Sequence, residues 1–200
     1  MKILAVGDTH GDEGIIKKAA KQAKKEKVDL VILAGDLTFF EQQTKNLIKP
    51  FEEIGKEVLI LPGNHETMPT IKFIEDKYSK ARNIHGKHFE KDGVGFFGAG
   101  YATTVGPFWI EEKEMFSLLE KSHNKIKHLS KKVLITHMHP EGSYSEFSGF
   151  KGSSSIKKII EKFQPDLAIF SHIHEARGTE NKLGKTILLN VSRKPRIFEI

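Results

Sequence analysis

No cysteine occurs among the 200 residues of the sequence. Disulfide bonds, thiolate metal ligands and a thiol nucleophile are therefore excluded. A metal site in this chain must be built from carboxylate, amide and imidazole groups. Such oxygen and nitrogen ligands suit divalent ions of manganese, iron, nickel, cobalt or zinc.

Long apolar stretches are also missing from the sequence. No run approaches the roughly 18 apolar residues of a membrane-spanning helix, and the apolar run near the N-terminus is too short for a signal peptide. We therefore expect a soluble, cytoplasmic protein with no membrane partner. The length suits a single domain, residues 1–200, that buries its own core without cross-links.

Arginine is scarce, since 28 of the 32 basic residues are lysines, and the formal net charge is +6. Lysine-rich helix faces exposed to solvent are the favoured interpretation. The alternative is attraction to phosphate-bearing substrates or to nucleic acid.

Five short runs are rich in valine, isoleucine and leucine. They span residues 2–7, 29–34, 57–61, 132–136 and 166–170. Such runs are typical of strands that are buried on both faces. Between them, apolar residues recur at helical spacing in residues 13–26, 41–54, 68–79, 111–128 and 153–163. This alternation predicts an α/β fold with a mostly parallel sheet.

Two segments break the alternation. Residues 82–99 contain short strand-like pieces separated by glycines, and residues 184–200 contain strand-like runs without helices between them. These patterns predict a second, more antiparallel sheet that packs on the first.

Residues of metal-binding types follow each of the five predicted strands. Because ligands bind at the carboxyl ends of strands in α/β sheets, we expect these side chains to lie together at one edge of one sheet. The seven candidate metal ligands are Asp8, His10, Asp36, Asn64, His137, His172 and His174. The first two and the last two of these are each two residues apart, so in an extended chain both members of a pair point to the same side. Seven ligands exceed the needs of one tetrahedral ion, and two ions that share a carboxylate would use them all.

Five sequence blocks resemble, in order and spacing, those of the calcineurin-like metallophosphoesterase superfamily. They are Gly7-Asp8-Thr9-His10, Gly35-Asp36, Gly63-Asn64-His65-Glu66, Thr136-His137 and Ser171-His172-Ile173-His174. The resemblance implies two packed mixed β-sheets flanked by helices, a four-layer α-β-β-α sandwich with a two-metal site at the strand ends. It also implies a hydrolase whose nucleophile is a metal-bound water or hydroxide.

The resemblance further implies a role for each candidate residue. The first metal would be held by Asp8, His10, Asp36 and His174. The second metal would share Asp36 and be held also by Asn64, His137 and His172. Asn64 and His65 would contact the substrate, and His65 would be the catalytic residue that contacts the phosphate and protonates the leaving group.

The sequence departs from the family pattern in two places. The Asp-Arg-Gly sequence of protein serine/threonine phosphatases is replaced by Leu37-Thr38-Phe39-Phe40, so membership of that branch is not expected. Thr136 and Ser171 stand where many relatives have glycine, which is expected to alter nearby hydrogen bonds without removing a ligand. The partner that orients His65 is left open, with Asp12 and Glu66 as candidates.

Two further residues are predicted to contact the substrate. They are His139 and Arg177, for which a plain loop histidine and a salt bridge are the respective alternatives. The loop 141–152 is polar and follows the fourth block, so we expect it to select the substrate.

Phe39 and Phe40 follow the predicted ligand Asp36, and Trp109 lies in the sequence Gly106-Pro107-Phe108-Trp109. For Phe39, Phe40 and Trp109, core packing is the favoured interpretation and stacking on a substrate base is the alternative. The remaining histidines are assigned to the surface or to packing; they are His85, His88, His123 and His128.

The favoured function is metal-dependent hydrolysis of a phosphate ester, with a phosphodiester preferred to a phosphomonoester and a small or nucleotide-like substrate expected. A metal-dependent nuclease is the alternative. A non-catalytic scaffold is disfavoured because Asp36, Asn64 and His65 are all present. A homodimer is a further alternative to a monomer.

Overall fold

The computed structural model describes residues 1–104 and 106–200. Within these residues the chain forms two β-sheets. The first contains β1 (Lys2–Val6), β2 (Leu30–Leu33), β3 (Val58–Ile60), β4 (Ala81–Asn83) and β11 (Arg196–Glu199). The second contains β5 (His88–Lys91), β6 (Val94–Ala99), β7 (Lys131–Thr136), β8 (Leu167–Phe170), β9 (Glu180–Leu183) and β10 (Thr186–Asn190).

Helices connect most of these strands. The α-helices are α1 (Glu13–Lys25), α2 (Lys49–Glu52), α3 (Met68–Lys77), α4 (Glu112–Lys125) and α5 (Ser154–Phe163). Two 3₁₀ helices span Tyr144–Ser148 and His174–Ala176. Among the described residues, no helix is long and apolar enough to cross a bilayer.

Both sheets are mixed. The first has the order β11-β1-β2-β3-β4, in which β11 runs antiparallel to β1 and the other pairs are parallel. The second has the order β5-β6-β7-β8-β10-β9, in which the edge strands β5 and β9 are antiparallel to their neighbours and the middle strands are parallel. The second sheet has two antiparallel pairs and the first has one, so the expectation of a more antiparallel second sheet is confirmed at its edges, although its centre is parallel. Strand β11 was expected in the second sheet but pairs with β1 in the first. Helices α4 and α5 cross between β6, β7 and β8, and parallel neighbours need such crossovers.

Three apolar layers hold the sheets and helices together. On β1, Leu4 and Val6 face α1, whereas Ile3 and Ala5 face the second sheet. The middle layer lies between the sheets, and a third layer lies between the second sheet and helices α4 and α5. Each fully buried leucine or isoleucine stabilises the fold by about 2 kcal/mol. The result is the predicted four-layer sandwich, with helices outside and both sheets inside.

Two further expectations need correction. Residues 41–54 were expected to form one helix, but only Lys49–Glu52 is helical. Glu41, Gln43 and Asn46 have left-handed backbone conformations, with φ of 63°, 58° and 59°. Polar side chains of this segment bond to other elements, as when Asn46 Nδ2 donates to Glu13 at 3.1 Å, and these contacts replace helical hydrogen bonds.

The second correction concerns the strands that carry the candidate ligands. They were expected in one sheet, but β1, β2 and β3 belong to the first sheet and β7 and β8 to the second. A continuous apolar run shows that a strand is buried on both faces and does not show which strand it pairs with.

Candidate metal centre

The carboxyl ends of five strands meet at one end of the sandwich and bring the seven candidate ligands together. Asp8 and His10 follow β1, Asp36 follows β2, Asn64 follows β3, His137 follows β7, and His172 and His174 follow β8. Both sheets therefore supply ligands, and the site lies where the ends of the two sheets approach each other.

Tight turns after the strands place these side chains. Four ligands have left-handed backbone conformations, with φ of 52° at Asp8, 45° at His10, 49° at Asp36 and 72° at His172. Such a conformation costs an L-residue about 1–2 kcal/mol and is retained mainly at functional sites. The side chains of each pair, Asp8 with His10 and His172 with His174, do converge as expected. The cause is the tight turn after β1 and after β8 rather than an extended chain.

The first group of ligands surrounds Asp8. Nε2 of His174 lies 3.7 Å from Oδ2 of Asp8 and 3.2 Å from Nε2 of His10. Nε2 of His10 lies 3.7 Å from Oδ2 of Asp36. Asp8 is fully buried, and its carboxylate accepts a hydrogen bond of 3.0 Å from the backbone N–H of His172.

The second group surrounds His137. Its Nε2 lies 2.9 Å from Oδ1 of Asn64, 3.2 Å from Nδ1 of His172 and 3.6 Å from Oδ2 of Asp36. The same oxygen of Asp36 therefore borders both groups. His137 is fully buried, so these contacts form away from solvent.

The hydrogen bonds of His137 test whether a cation fits this group. Its Nδ1 lies 3.1 Å from the carbonyl oxygen of Ala34, which only accepts, so Nδ1 carries the hydrogen and Nε2 bears a lone pair. That lone pair faces the oxygens of Asn64 and Asp36, which are acceptors too. Atoms bound to one divalent ion at about 2.1 Å stand about 3.0–3.4 Å apart, close to the spacing seen here. The group therefore has the composition and spacing of a site that could hold a metal. The hydroxyl of Ser171 adds a contact of 3.0 Å to Nδ1, the kind of altered hydrogen bond expected at this position.

Electrostatics favour the same interpretation. Burial and the nearby carboxylates of Asp8 and Glu66 raise the pKa of Asp36 well above its usual range. Burial also raises the pKa of Asp8. Burial lowers the pKa of His172 to about 3 and that of His10 to about 4. The imidazoles are therefore neutral, which is the form that binds metals, and a cation would offset the repulsion between the two aspartates.

Comparison with known families assigns the chain. The family model described as calcineurin-like phosphoesterase matches residues 1–176. The chain belongs to the calcineurin-like phosphoesterase family. The resemblance of the five sequence blocks is thereby confirmed, and the matched range contains all seven candidate ligands.

Individual relatives of this phosphoesterase are distant. UPF0046 protein K07C11.7 of Caenorhabditis elegans is 29% identical over 215 residues, which cover 96% of this chain and 70% of that protein. The structure of TT1561 from Thermus thermophilus matches with a TM-score of 0.78 and 17% identity, covering 98% of this chain and 97% of the other. A dimetal phosphatase from Danio rerio matches with a TM-score of 0.62 and 10% identity, over 95% of this chain and 86% of the other. A structure described as a novel archaeal phosphodiesterase matches with a TM-score of 0.53 and 19% identity, over 95% of this chain and 82% of the other. These structural likenesses confirm the fold.

The loop after β3 of the phosphoesterase is fixed to the loop after β2. The buried carboxylate of Glu66 accepts hydrogen bonds from the backbone N–H groups of Thr38 at 2.7 Å and Gly63 at 2.8 Å. The N–H of His65 donates to Oδ1 of Asp36 at 3.0 Å. A Cβ atom on Gly63 would lie 2.0 Å from the same oxygen, so only glycine leaves room for Asp36. Asn64 and His65 are thus held against the aspartate that borders both groups.

His65, the predicted catalytic residue, lies at the mouth of the site. Its Nε2 is 3.8 Å from Oδ2 of Asp36, and its side chain is 16% exposed. Burial and the charge of His174 lower the pKa of His65. The ring centroid lies 4.3 Å from that of Phe40 and 4.8 Å from that of His10.

The two proposed orienting partners of His65 are engaged elsewhere. Asp12 caps α1, where its carboxylate accepts from the N–H of Gly14 at 2.8 Å. Glu66 holds the loops described above. Nδ1 of His65 has no hydrogen-bond partner within the described part of the chain. Neighbouring rings, rather than a carboxylate partner, therefore set the orientation of His65.

The two additional predicted substrate residues occupy different environments. His139 is fully buried, with its Nε2 3.2 Å from the carbonyl oxygen of Phe150 and its ring 6.2 Å from the nearly parallel ring of His172. Arg177 is exposed and follows the 3₁₀ helix that begins with His174. The loop 141–152 is closed at its base by a β-bridge between Pro140 and Ser153.

Arg193 is a site residue that the sequence reasoning missed. Its guanidinium donates to the main-chain oxygen of Asp8 at 3.4 Å and lies 3.5 Å from Oδ2 of Asp12. Its backbone N–H donates to the carbonyl oxygen of Gly7 at 2.8 Å. The pattern that located the candidate ligands could have indicated it, because Arg193 closely follows the apolar run of β10.

The aromatic residues near the site are not core residues. Phe39 and Phe40 are each 47% exposed and Trp109 is 59% exposed, so the core-packing interpretation is wrong for all three. The assignment of the remaining histidines to the surface or to packing holds. His123, for example, is buried and stacks on Phe163 at 3.7 Å between ring centroids.

Proposed function

We propose that the protein is a two-metal phosphoesterase that hydrolyses a small or nucleotide-like phosphate ester. The main support is the position of Asp36. Its Oδ2 lies 3.7 Å from Nε2 of His10 and 3.6 Å from Nε2 of His137. One carboxylate oxygen between two clusters of lone pairs suits a ligand that two cations share. The first cation would be held by Asp8, His10, Asp36 and His174, and the second by Asp36, Asn64, His137 and His172.

The donor set has a defined metal preference. Oxygen and imidazole ligands without thiolates favour Mn²⁺, Fe²⁺, Ni²⁺, Co²⁺ or Zn²⁺. When bound, such cations neutralise charge on phosphoryl oxygens and lower the pKa of coordinated water.

Side chains at the mouth of the site would contact the substrate. His65, whose Nε2 lies 3.8 Å from Oδ2 of Asp36 and whose side chain is 16% exposed, would offer an N–H to a phosphoryl oxygen and a proton to the leaving group. Arg193 offers guanidinium N–H groups beside Asp8, and arginine matches the geometry of phosphate oxygens. His139 and Arg177 remain predicted substrate contacts. A diester is preferred to a monoester because the exposed rings of Phe39 and Phe40 leave an apolar surface for a second substituent on phosphorus.

The test is metal-dependent hydrolysis of bis-(p-nitrophenyl) phosphate and p-nitrophenyl phosphate. The protein is stripped of metal and then given Mn²⁺, Ni²⁺, Co²⁺ or Zn²⁺. We expect at least one ion to restore hydrolysis, and Asp36→Asn and His65→Ala to lower kcat about 100-fold or more. The exposed residues Asp76 and His88 provide matched controls, and Asp76→Asn and His88→Ala should retain full activity.

Either of two results would contradict the proposal. Hydrolysis by metal-free protein at the full rate would exclude a metal-dependent reaction. Failure of every ion to raise hydrolysis above that of Asp36→Asn would favour the non-catalytic scaffold. The ratio of diester to monoester hydrolysis then decides between the two ester classes.

A further inference from the structure

Phe39 and Phe40 expose large apolar surfaces beside a polar site. Each side chain is 47% exposed, and their rings meet edge to face with centroids 4.6 Å apart. The centroid of the His65 ring is 5.4 Å from that of Phe39 and 4.3 Å from that of Phe40. Phe39 also lies 5.9 Å from the ring of His10. The two rings therefore form an apolar surface that borders His65 and the candidate metal ligand His10.

The segment that carries the two rings is anchored on both sides. Before them, the N–H of Thr38 donates to the buried carboxylate of Glu66 at 2.7 Å. After them, the carboxylate of Glu41 accepts from the N–H of Thr67 at 3.1 Å and from the hydroxyl of Thr70 at 2.7 Å. Glu41 thereby caps the N-terminus of α3, where Thr67 makes no side-chain cap of its own. The rings are held in place by the fold rather than by burial.

The backbone of this segment is also strained. Phe40 and Glu41 have φ of 49° and 63°, in the left-handed region that L-residues rarely adopt. Strain of this kind is retained where the surrounding structure enforces it, commonly at ligand-binding sites. Other aromatic side chains of the protein are as exposed, but Phe39 and Phe40 combine exposure with ring contacts to His10 and His65.

We infer that Phe39 and Phe40 bind a planar aromatic ring of the substrate, in the chemical class of a nucleobase. This inference rests on the proposed function and adds a substrate class to it. Aromatic side chains stack on every base because each base has a π-face. Phe39 lies against His10 and both rings lie against His65, so a base stacked on them would sit beside a phosphate held at the candidate metal ligands.

The test compares a base-bearing ligand with its abasic counterpart. The ligands are hydrolysis-resistant methylene phosphonate analogues of thymidine 5′-monophosphate and of 2-deoxyribose 5-phosphate, titrated calorimetrically into metal-loaded protein. We expect wild type to bind the base-bearing ligand about ten-fold more tightly than the abasic one. The ratio should fall to about one in a double variant, Phe39→Ala with Phe40→Ala, and persist in Phe40→Trp, which keeps an aromatic face.

A control variant separates stacking from general surface effects. Phe73 is 52% exposed, lies on α3, and has the amino group of Lys77 5.5 Å from its ring centroid. Phe73→Ala should leave the ten-fold ratio unchanged. Equal affinities of wild type for the two ligands, or a ratio that survives in the double variant, would overturn the inference. If Phe39 and Phe40 instead bind a protein partner or a lipid bilayer, the base-bearing and abasic ligands bind with equal affinity.

Hydrolysis of bis-(p-nitrophenyl) phosphate by the same wild-type preparation separates the two proposals. If wild type hydrolyses the diester with metal but binds the base-bearing and abasic ligands equally, the aromatic site is overturned and the phosphoesterase proposal stands. If wild type prefers the base-bearing ligand but does not hydrolyse the diester, the aromatic site is supported and the proposed function is contradicted.

Discussion

Arg193 extends the site beyond the metal-binding types of residue. It lies 185 residues from Asp8 in sequence, yet its guanidinium reaches the main-chain oxygen of Asp8 at 3.4 Å. The sequence suggested Arg177 because arginine suits the geometry of phosphate oxygens, and that assignment stays a prediction. The contact of Arg193 depends on the return of the chain after β10 to the end of β1, which spacing along the sequence does not show.

The two arginines can be compared directly. We expect Arg193→Gln to lower kcat/KM about ten-fold, because a hydrogen bond from a charged donor to a phosphoryl oxygen is worth about 1.5–3 kcal/mol. Metal content should not change. Arg177→Gln is the matched variant, and the two losses compare the contributions of the two side chains. Steady-state kinetics with bis-(p-nitrophenyl) phosphate provide the measurement, and full activity of Arg193→Gln would contradict the role of Arg193.

His85 is a titrating residue outside the site. Its Nδ1 accepts a hydrogen bond of 3.0 Å from the N–H of Gly100, so its hydrogen is on Nε2. Burial, aided by the positive charge of Lys87, lowers the pKa of His85 to about 4. Protonation would place a hydrogen on the nitrogen that accepts from Gly100.

This pKa predicts the pH dependence of stability. The unfolded chain takes up the His85 proton near pH 6.5, whereas the folded protein resists it down to about pH 4. The contribution of neutral His85 to the free energy of unfolding is fully present above pH 6.5 and is lost as pH falls towards 4. At pH 5 the free energy of unfolding is lower by about 2 kcal/mol. Urea unfolding at pH 7.5 and 5.0 should show this loss in wild type and a smaller one in His85→Asn, which keeps an acceptor without titrating. His88→Asn, at an exposed position, is the control, and an equal loss in His85→Asn and wild type would contradict the assignment.

Elements of the fold are joined by single carboxylates. Glu112, in the first turn of α4, accepts hydrogen bonds from the hydroxyl of Ser153 and the N–H of Ser155, both at 2.8 Å. Burial alone would raise the pKa of Glu112, but the hydrogen bonds from Ser155 and Ser153 lower it. Ser153 is the N-cap of α5 and closes the loop 141–152, so one side chain joins two helices and a loop.

Removal of this carboxylate should destabilise the fold. Glu112→Ala leaves several donors unpaired, and we expect the free energy of unfolding to fall by about 2–3 kcal/mol and Tm by about 5–10 °C. Glu114→Ala removes an exposed carboxylate from the same turn and should cost about 0.5 kcal/mol or less. Thermal unfolding followed by circular dichroism measures both, and equal effects would contradict a joining role for Glu112.

Periodicity predicted most elements because burial imposes it. Four of the five expected helices are present, since their apolar faces pack on a sheet. The fifth expectation, residues 41–54, was wrong because Glu41 bonds to Thr67 and Thr70 in a different element. Long-range polar contacts leave no periodic trace in a sequence, and here they override local spacing.

At the scale of the whole molecule, the candidate site belongs to neither sheet alone. Asp36 follows a strand of the first sheet and His137 a strand of the second, and their side chains lie 3.6 Å apart. The convergence of these residue types at the strand ends was predictable from their order in the sequence, whereas their role as metal ligands remains a prediction. The division of the strands between two sheets was not predictable, because strand pairing depends on the crossover helices. The single-domain assignment of residues 1–200 remains a prediction.

If two cations share Asp36, each chain binds two metal ions, and metal stoichiometry measures this number. Protein stripped of metal is dialysed against Mn²⁺ or Zn²⁺, and bound metal per chain is measured by mass spectrometry of the digested sample. We expect two ions per chain in wild type and in the control Asp76→Asn, and at most one in Asp36→Asn. One ion or none in wild type, under conditions that restore hydrolysis, would contradict the sharing of Asp36 by two cations.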